Sequence, residues 1–227
     1  MTRTIVITGA TGDIAQEIVK RLTDERLILF SRNLSKMSKL YGNLPNVQLL
    51  KNGTVISEKV DILINNAGFG VFADLDELSD EQIGQQFQVN AIFPIQLIRD
   101  LKPSLQVINI VSIAAKLPTA KASVYAASKA ALLIFSDALR MENPKLIVTT
   151  VNTGPVKTKF HAENEIYLEK VGRNAINAEF VADKIVKNIG KRKRELNLPR
   201  KLAFIAKLRA LFPHWIDFLA VHFFNYK

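Results

Sequence analysis

The chain has no cysteine, one tryptophan and three histidines among its 227 residues. Without thiols it can have no disulfide scaffold, thiolate metal site, iron–sulfur cluster or thiol nucleophile, and a reducing compartment is the expectation. His161, His214 and His222 stand at no metal-ligand spacing. They read as surface or packing residues, and no metal site is expected. The sequence also lacks a Gly-x-Ser-x-Gly elbow and a Gly-Lys-Ser/Thr phosphate loop, which removes the main support for hydrolase and nucleotide-triphosphatase readings. No uninterrupted apolar run reaches the roughly 18–20 residues needed to span a bilayer. There is no internal repeat and no Gly/Ser-rich linker, and no charged-then-apolar leader precedes the first apolar strand pattern. The expected location is therefore cytoplasmic. What remains is a chain of single-domain length, 48% hydrophobic and 23% charged, which must fold around one core.

The net charge of +10 is unevenly placed. Residues 184–227 hold 11 of the 31 Lys and Arg against two acids, Glu195 and Asp217. The preceding 183 residues carry 20 bases and 19 acids, so the body is electrically ordinary and the tail is basic.

Short apolar runs alternate with longer segments of helical period, the pattern of a parallel sheet with crossover helices. The strands are predicted at Thr4–Thr8, Leu27–Phe30, Val47–Leu50, Ile62–Asn65, Val107–Val111 and Ile147–Val151. Helical periods run over Ile14–Thr23, Val124–Leu139 and Phe180–Gly190. Lys51–Asp61 is near the lower limit for a crossover and predicts a helix of one or two turns at Thr54–Lys59, or none. The implied fold is a doubly wound α/β sheet with its ligand site at the carboxyl ends of the strands.

Three sets of residues carry chemistry. Thr8-Gly9-Ala10-Thr11-Gly12-Asp13-Ile14-Ala15 joins the first strand to its helix, where small residues let backbone N–H groups approach a pyrophosphate at the helix N-terminus. Alone the turn is ambiguous, since many strand-to-helix turns are glycine-rich for steric reasons only. Asn65-Asn66-Ala67-Gly68 ends the fourth strand and Ser112 the fifth. Tyr125 lies thirteen residues after Ser112, with Lys129 four residues further on, so the two share one helix face. A free phenol has a pKa near 10. A lysine cation beside it favours the phenolate and fits it for proton transfer, while Ser112 can orient a carbonyl by hydrogen bond.

Over roughly Thr4–Thr158 these residues resemble the short-chain dehydrogenase/reductase family. The resemblance rests on the glycine-rich turn, Asn65–Gly68, Asn90, Ser112, Tyr125, Lys129 and Gly154-Pro155-Val156-Lys157-Thr158. It implies a Rossmann-type sheet with helices on both faces and an oxidoreductase that moves hydride between a nicotinamide cofactor and a carbonyl or alcohol. By that resemblance Tyr125 is the proton donor and Lys129 tunes it and holds the ribose. Ser112 positions the carbonyl, Asn90 holds a relay water, and Pro155, Val156 and Thr158 cover the nicotinamide. Gly9, Thr11, Gly12, Asp13, Ile14, Asn66, Ala67 and Gly68 would complete the cofactor site, with Asn52 at the adenine in place of the usual acid. At the end of the second strand, Ser31-Arg32-Asn33 offers no acid for ribose hydroxyls, and a guanidinium suits a 2′-phosphate. NADP(H) is therefore expected, with NAD(H) as the alternative. The family pattern departs at Thr-Gly-x-x-Gly-x-x-Ala and at Thr153, where proline is usual.

Phe69, Val71, Phe72, Leu117 and Pro118 predict an apolar pocket and a lipophilic carbonyl or alcohol substrate. Lys159–Asn177 stands where relatives carry a mobile flap. Residues 1–190 are read as the catalytic domain and 191–227 as a basic extension of two amphipathic helices broken at Pro213. Three readings compete for that extension: packing on the body or a dimer interface, peripheral attachment to the inner face of a membrane, or nucleic-acid binding. The last is disfavoured, because the aromatics lie in apolar runs and are not interleaved with the bases. The resemblance further implies a homodimer or homotetramer. An NADP(H)-binding sensor or membrane-associated binding protein with little turnover is the alternative from another functional class.

Overall fold

The computed structural model describes residues 2–161 and 175–223. Seven parallel strands form the main sheet: β1 Thr4–Thr8, β2 Arg26–Ser31, β3 Val47–Lys51, β4 Ile62–Asn65, β5 Gln106–Ile110, β6 Ile147–Thr153 and β9 Glu195–Leu198. Their spatial order is β3-β2-β1-β4-β5-β6-β9. The order reverses between β1 and β4, so the crevice at their carboxyl ends is the place for a ligand in this topology. A small parallel pair, β7 Val156–Lys157 and β8 Ile176–Asn177, sits beside the sheet.

Among the described residues the helices are α1 Asp13–Val19, α2 Leu34–Tyr41, α3 Asp80–Phe87, α4 Phe93–Leu101, α5 Ser123–Glu142, α6 Ala178–Val186, α7 Arg200–Leu211 and α8 Pro213–Phe223. A wide π-type turn, Gln88–Ile92, joins α3 to α4. One apolar layer sets β1, β2 and β4 side chains such as Ile5, Leu27 and Ile62 against Ile18 of α1 and Val181 of α6. The opposite layer sets Val6, Ile28 and Leu63 against Ile98 of α4, with Phe135 of α5 at its margin. Strands buried on both faces explain their continuous apolar runs.

The six expected strands are present within a residue or two of their expected ends. Lys51–Asp61 holds no helix, and α1 stops at Val19, short of the expected Thr23. β9 is a seventh strand beyond the six expected. Its residues pair with β6 from Thr150↔Glu195 to Thr153↔Leu198, so the sheet continues past the expected boundary at 190 and only the segment from Arg200 lies beyond it. The two helices expected there are α7 and α8, parted at Phe212–Pro213.

Buried polar groups index the central elements to one another. Asn65 Nδ2 donates to Asn109 Oδ1 at 2.8 Å, Asn109 Nδ2 donates to Ser136 Oγ at 2.8 Å, and Ser136 Oγ donates to the Leu132 carbonyl at 2.6 Å. This chain runs from β4 through β5 into α5. Each link is directional, so it specifies register as apolar packing does not.

Candidate active site

The first strand-to-helix turn is built by close approach. Gly9 has φ +62°, and a Cβ there would lie 2.8 Å from the Ala67 Cα, so both conformation and space require glycine. Thr8 Oγ1 accepts from the backbone N–H groups of Asn66 and Ala67, each at 3.0 Å. Asn66 Nδ2 donates to the carbonyls of Thr8 and Gly9. Tyr41 of α2 supports the turn from beneath, its hydroxyl donating to the Ala10 carbonyl at 2.6 Å. Burial raises the pKa of that phenol and keeps it protonated. The Asp13 carboxylate, first in α1, accepts from the Lys159 backbone N–H at 2.8 Å, which ties the turn to the loop after β7.

The turn opens one end of a cavity of about 1010 Å³. Gly9, Thr11, Gly12, Asp13, Ile14, Ser31, Arg32, Asn52, Asn66, Ala67, Gly68, Ser112, Tyr125, Lys129, Pro155, Val156 and Thr158 all line it. Two expected site residues do not. Asn33 caps α2, its side chain accepting from the Lys36 N–H at 2.8 Å. Its helix-cap chemistry takes it out of the wall, and Lys36 lines the cavity instead. Asn90 is fully buried behind the wall in the π-type turn. Its Oδ1 accepts from the Phe69 N–H at 2.9 Å, and its Nδ2 donates to the Phe69 carbonyl at 2.6 Å and to Ser128 Oγ at 3.0 Å. Val71 is also absent from the wall, while Phe69, Phe72, Leu117 and Pro118 belong to it.

At the other end, Ser112 follows β5 and its Oγ accepts from the Ala114 N–H at 3.1 Å. Tyr125 and Lys129 stand one turn apart on α5, both buried. Lys129 Nζ donates to the Ile110 carbonyl at 3.0 Å, and burial lowers its pKa from 10.5 to about 8. The Tyr125 ring is flanked by Phe72 and Phe160, with centroids 5.2 and 6.0 Å away. Gly70 makes room for it, since a Cβ there would meet Tyr125 Cδ2 at 2.8 Å. Of the expected flap, Phe160 lines the cavity, whereas Ile166, Tyr167, Leu168 and Val171 lie outside the described residues.

One wall of the cavity lies outside the expected residues. Leu202, Ile205 and Arg209 of α7 and Ile216, Asp217 and Leu219 of α8 also line it. Arg209 Nε and its second terminal nitrogen bond both oxygens of Asp217, at 2.6 and 3.0 Å, which clasps the two helices. The Gly154 N–H donates to the Leu198 carbonyl at 2.7 Å, so β9 delivers α7 directly beside the Gly154–Thr158 loop.

A dinucleotide fits these residues on several grounds. The glycine-built turn opens onto the start of α1, cations cluster at the end of β2, and Asn52 has a buried Oδ1 without a protein partner, an acceptor suited to an exocyclic amine such as that of adenine. A doubly wound sheet with such a turn and with Ser112, Tyr125 and Lys129 converging on one cavity defines an oxidoreductase of the nicotinamide-dependent class. Residues 48–167 match the family model for short chain dehydrogenases. A probable short-chain type dehydrogenase/reductase, VdlC, from Helicobacter pylori is 30% identical over 80% of this chain and 82% of that protein. The 3-ketodihydrosphingosine reductase of Bacteroides thetaiotaomicron is 29% identical over 91% of this chain and 83% of that protein. The chain belongs to the short-chain dehydrogenase/reductase family. Its fold matches solved members: a short-chain dehydrogenase from Sphingobium yanoikuyae in complex with NADPH has TM-score 0.79 and 20% identity, covering 93% of this chain and 95% of that one. A family member from Burkholderia phymatum in complex with NAD has TM-score 0.83 and 18% identity, covering 94% and 95%.

Proposed function

We propose that this chain is an NADP(H)-dependent reductase of a lipophilic carbonyl, or the corresponding alcohol dehydrogenase. The observation that carries the reading is the convergence of Ser112, Tyr125 and Lys129 at one end of a cavity whose other end is the glycine turn. The bound cofactor supplies or accepts the hydride. Ser112 Oγ, with one lone pair taken by the Ala114 N–H, directs its proton to the substrate oxygen. Tyr125 gives that oxygen its proton. A buried Lys129 ammonium with a pKa of about 8 exchanges protons close to neutral pH and replaces the one the phenol loses. Asn90 acts as a positioning residue, holding Phe69 and Ser128.

The NADP(H) preference is supported by Arg32 and Lys36 at one end of the cavity, by Ser31 beside them, and by the absence of any carboxylate in residues 31–36. An apolar substrate is supported by Phe69, Phe72, Leu117 and the α7–α8 wall. The similarity to a reductase named for a sphingoid ketone points the same way. We include in this reading a homo-oligomer, and peripheral attachment of a cytoplasmic protein to a membrane through the basic C-terminal segment. Among the described residues no helix is long and apolar enough to cross a membrane.

Steady-state reduction of long-chain aldehydes with NADPH tests the mechanism. Tyr125→Phe should lower kcat by at least about 100-fold, the usual scale of a lost general acid, while NADPH still binds. Turnover within a few-fold of the parent would refute the role of Tyr125. NADPH binding without turnover in the parent would favour a sensor.

A further inference from the structure

The helix pair α7–α8 has two unlike sides. Toward the cavity, Leu202, Ile205 and Arg209 are spaced i, i+3, i+7 on α7, and Ile216 and Leu219 are spaced i, i+3 on α8. On the opposite faces, Phe204 and Leu211 of α7, Trp215 and Phe218 of α8, and Phe212 between the helices are 63%, 71%, 78%, 57% and 59% exposed. The outer stripe of α7 also carries Arg200 and Lys207, at i−4 and i+3 from Phe204. Large aromatics beside cations, on the outside of a wall whose inside is the substrate cavity, are more than an anchor needs.

We propose that α7–α8 lays this outer face on an anionic lipid surface and passes substrate from the bilayer through its own inner face to Tyr125, so that the physiological substrate is a membrane-resident carbonyl lipid. The inference rests on the reductase reading above. The occupant is set by charge and chemistry. The segment from residue 184 has 11 bases and two acids, and of those two, Glu195 pairs with Lys116 and Asp217 with Arg209. The remaining positive charge complements anionic headgroups, while the exposed tryptophan and phenylalanines suit the headgroup boundary. Ile205 and Leu219, each 38% exposed, both line the cavity and reach solvent, so they form an apolar rim between the two faces.

The test compares the full chain with Phe204→Glu/Trp215→Glu and with Arg200→Glu/Lys207→Glu, all on exposed positions outside the cavity wall. Each is sedimented with phosphatidylcholine/phosphatidylserine vesicles and with phosphatidylcholine alone. NADPH-dependent reduction is followed for butanal in solution and for hexadecanal held in the same vesicles. The expected result is parent binding to the anionic vesicles. Both variants lose it, reduce butanal like the parent, and reduce vesicle-borne hexadecanal at least about tenfold more slowly, a modest share of what two anchoring side chains contribute. Four results overturn the proposal. The parent fails to sediment with anionic vesicles, the variants still sediment like the parent, the variants lose sedimentation yet keep full hexadecanal turnover, or butanal turnover falls together with hexadecanal turnover. A parent that binds vesicles but reduces neither aldehyde with NADPH or NADH refutes the reductase reading and removes the delivery role with it.

Discussion

Replacing Lys129 with methionine should make the protein more stable at pH 7 while removing its turnover. Lys129 is 3% exposed and, among the described residues, its ammonium has one carbonyl acceptor, that of Ile110, for its three donors. Burial takes its pKa from 10.5 to about 8. At about 1.4 kcal/mol per tenfold change, the folded state carries a penalty of about 3 kcal/mol below pH 8. Methionine is unbranched and similar in length, and it leaves one carbonyl without its donor at a cost of about 1–3 kcal/mol. The net gain is expected at about 0–2 kcal/mol, read as a higher urea midpoint with an unchanged slope. The sign of the pH dependence follows from proton counting. Between pH 8 and 10.5 the unfolded chain keeps the Lys129 proton and the folded chain has lost it, so parental stability rises with pH across that window. Tyr41 acts oppositely above about pH 10, because burial keeps its phenol protonated only in the folded state. The difference between parent and Lys129→Met isolates the lysine: the variant's advantage should shrink from pH 8 upward. A variant less stable than the parent at pH 7, or a constant difference from pH 7 to 10, would refute the reasoning.

Tyr41→Phe deprives the buried Ala10 carbonyl of its donor and should lower stability by about 1–3 kcal/mol, with weaker cofactor binding measured by nicotinamide fluorescence. An unchanged urea midpoint would show that the bond contributes nothing. Gly70→Ala places a carbon 2.8 Å from the Tyr125 ring edge, which Phe72 and Phe160 hinder from retreating. It should cut kcat by about tenfold or more with a native circular dichroism spectrum, since small misplacement of a reacting group is costly; an unaffected kcat argues that Tyr125 relocates freely. Arg32→Ala should weaken NADPH about tenfold and leave NADH unchanged, the scale of one lost charged hydrogen bond, and equal effects on both cofactors would make Arg32 a bystander.

Much of this architecture is legible in the residues because buried parallel strands write long apolar runs, and because the spacing of Ser112, Tyr125 and Lys129 follows from strand and helix geometry. What escaped notice did so for physical reasons. The strand Glu195–Leu198 is four residues long, lies at the sheet edge and follows the run Lys191–Arg194. Its alternation of polar and apolar residues was a usable signal obscured by charge. Asn33 could have been recognised as a helix cap from its place just before Leu34 and an ensuing helical period. The α7–α8 wall could not be read in advance, because which face of a terminal helix meets a cavity depends on where β9 docks, and that is a long-range contact.

The buried relay of Asn65, Asn109 and Ser136 bears on how this active site can change. Asn109 lies three residues before Ser112, and Ser136 lies two turns beyond Lys129. The distance between the serine hydroxyl and the lysine is thus gauged by residues that do not themselves line the cavity. Loops bordering the cavity can lengthen, shorten or exchange side chains without disturbing that gauge, and a wall made of a pair of aromatic, basic helices can be fitted to the same reaction centre.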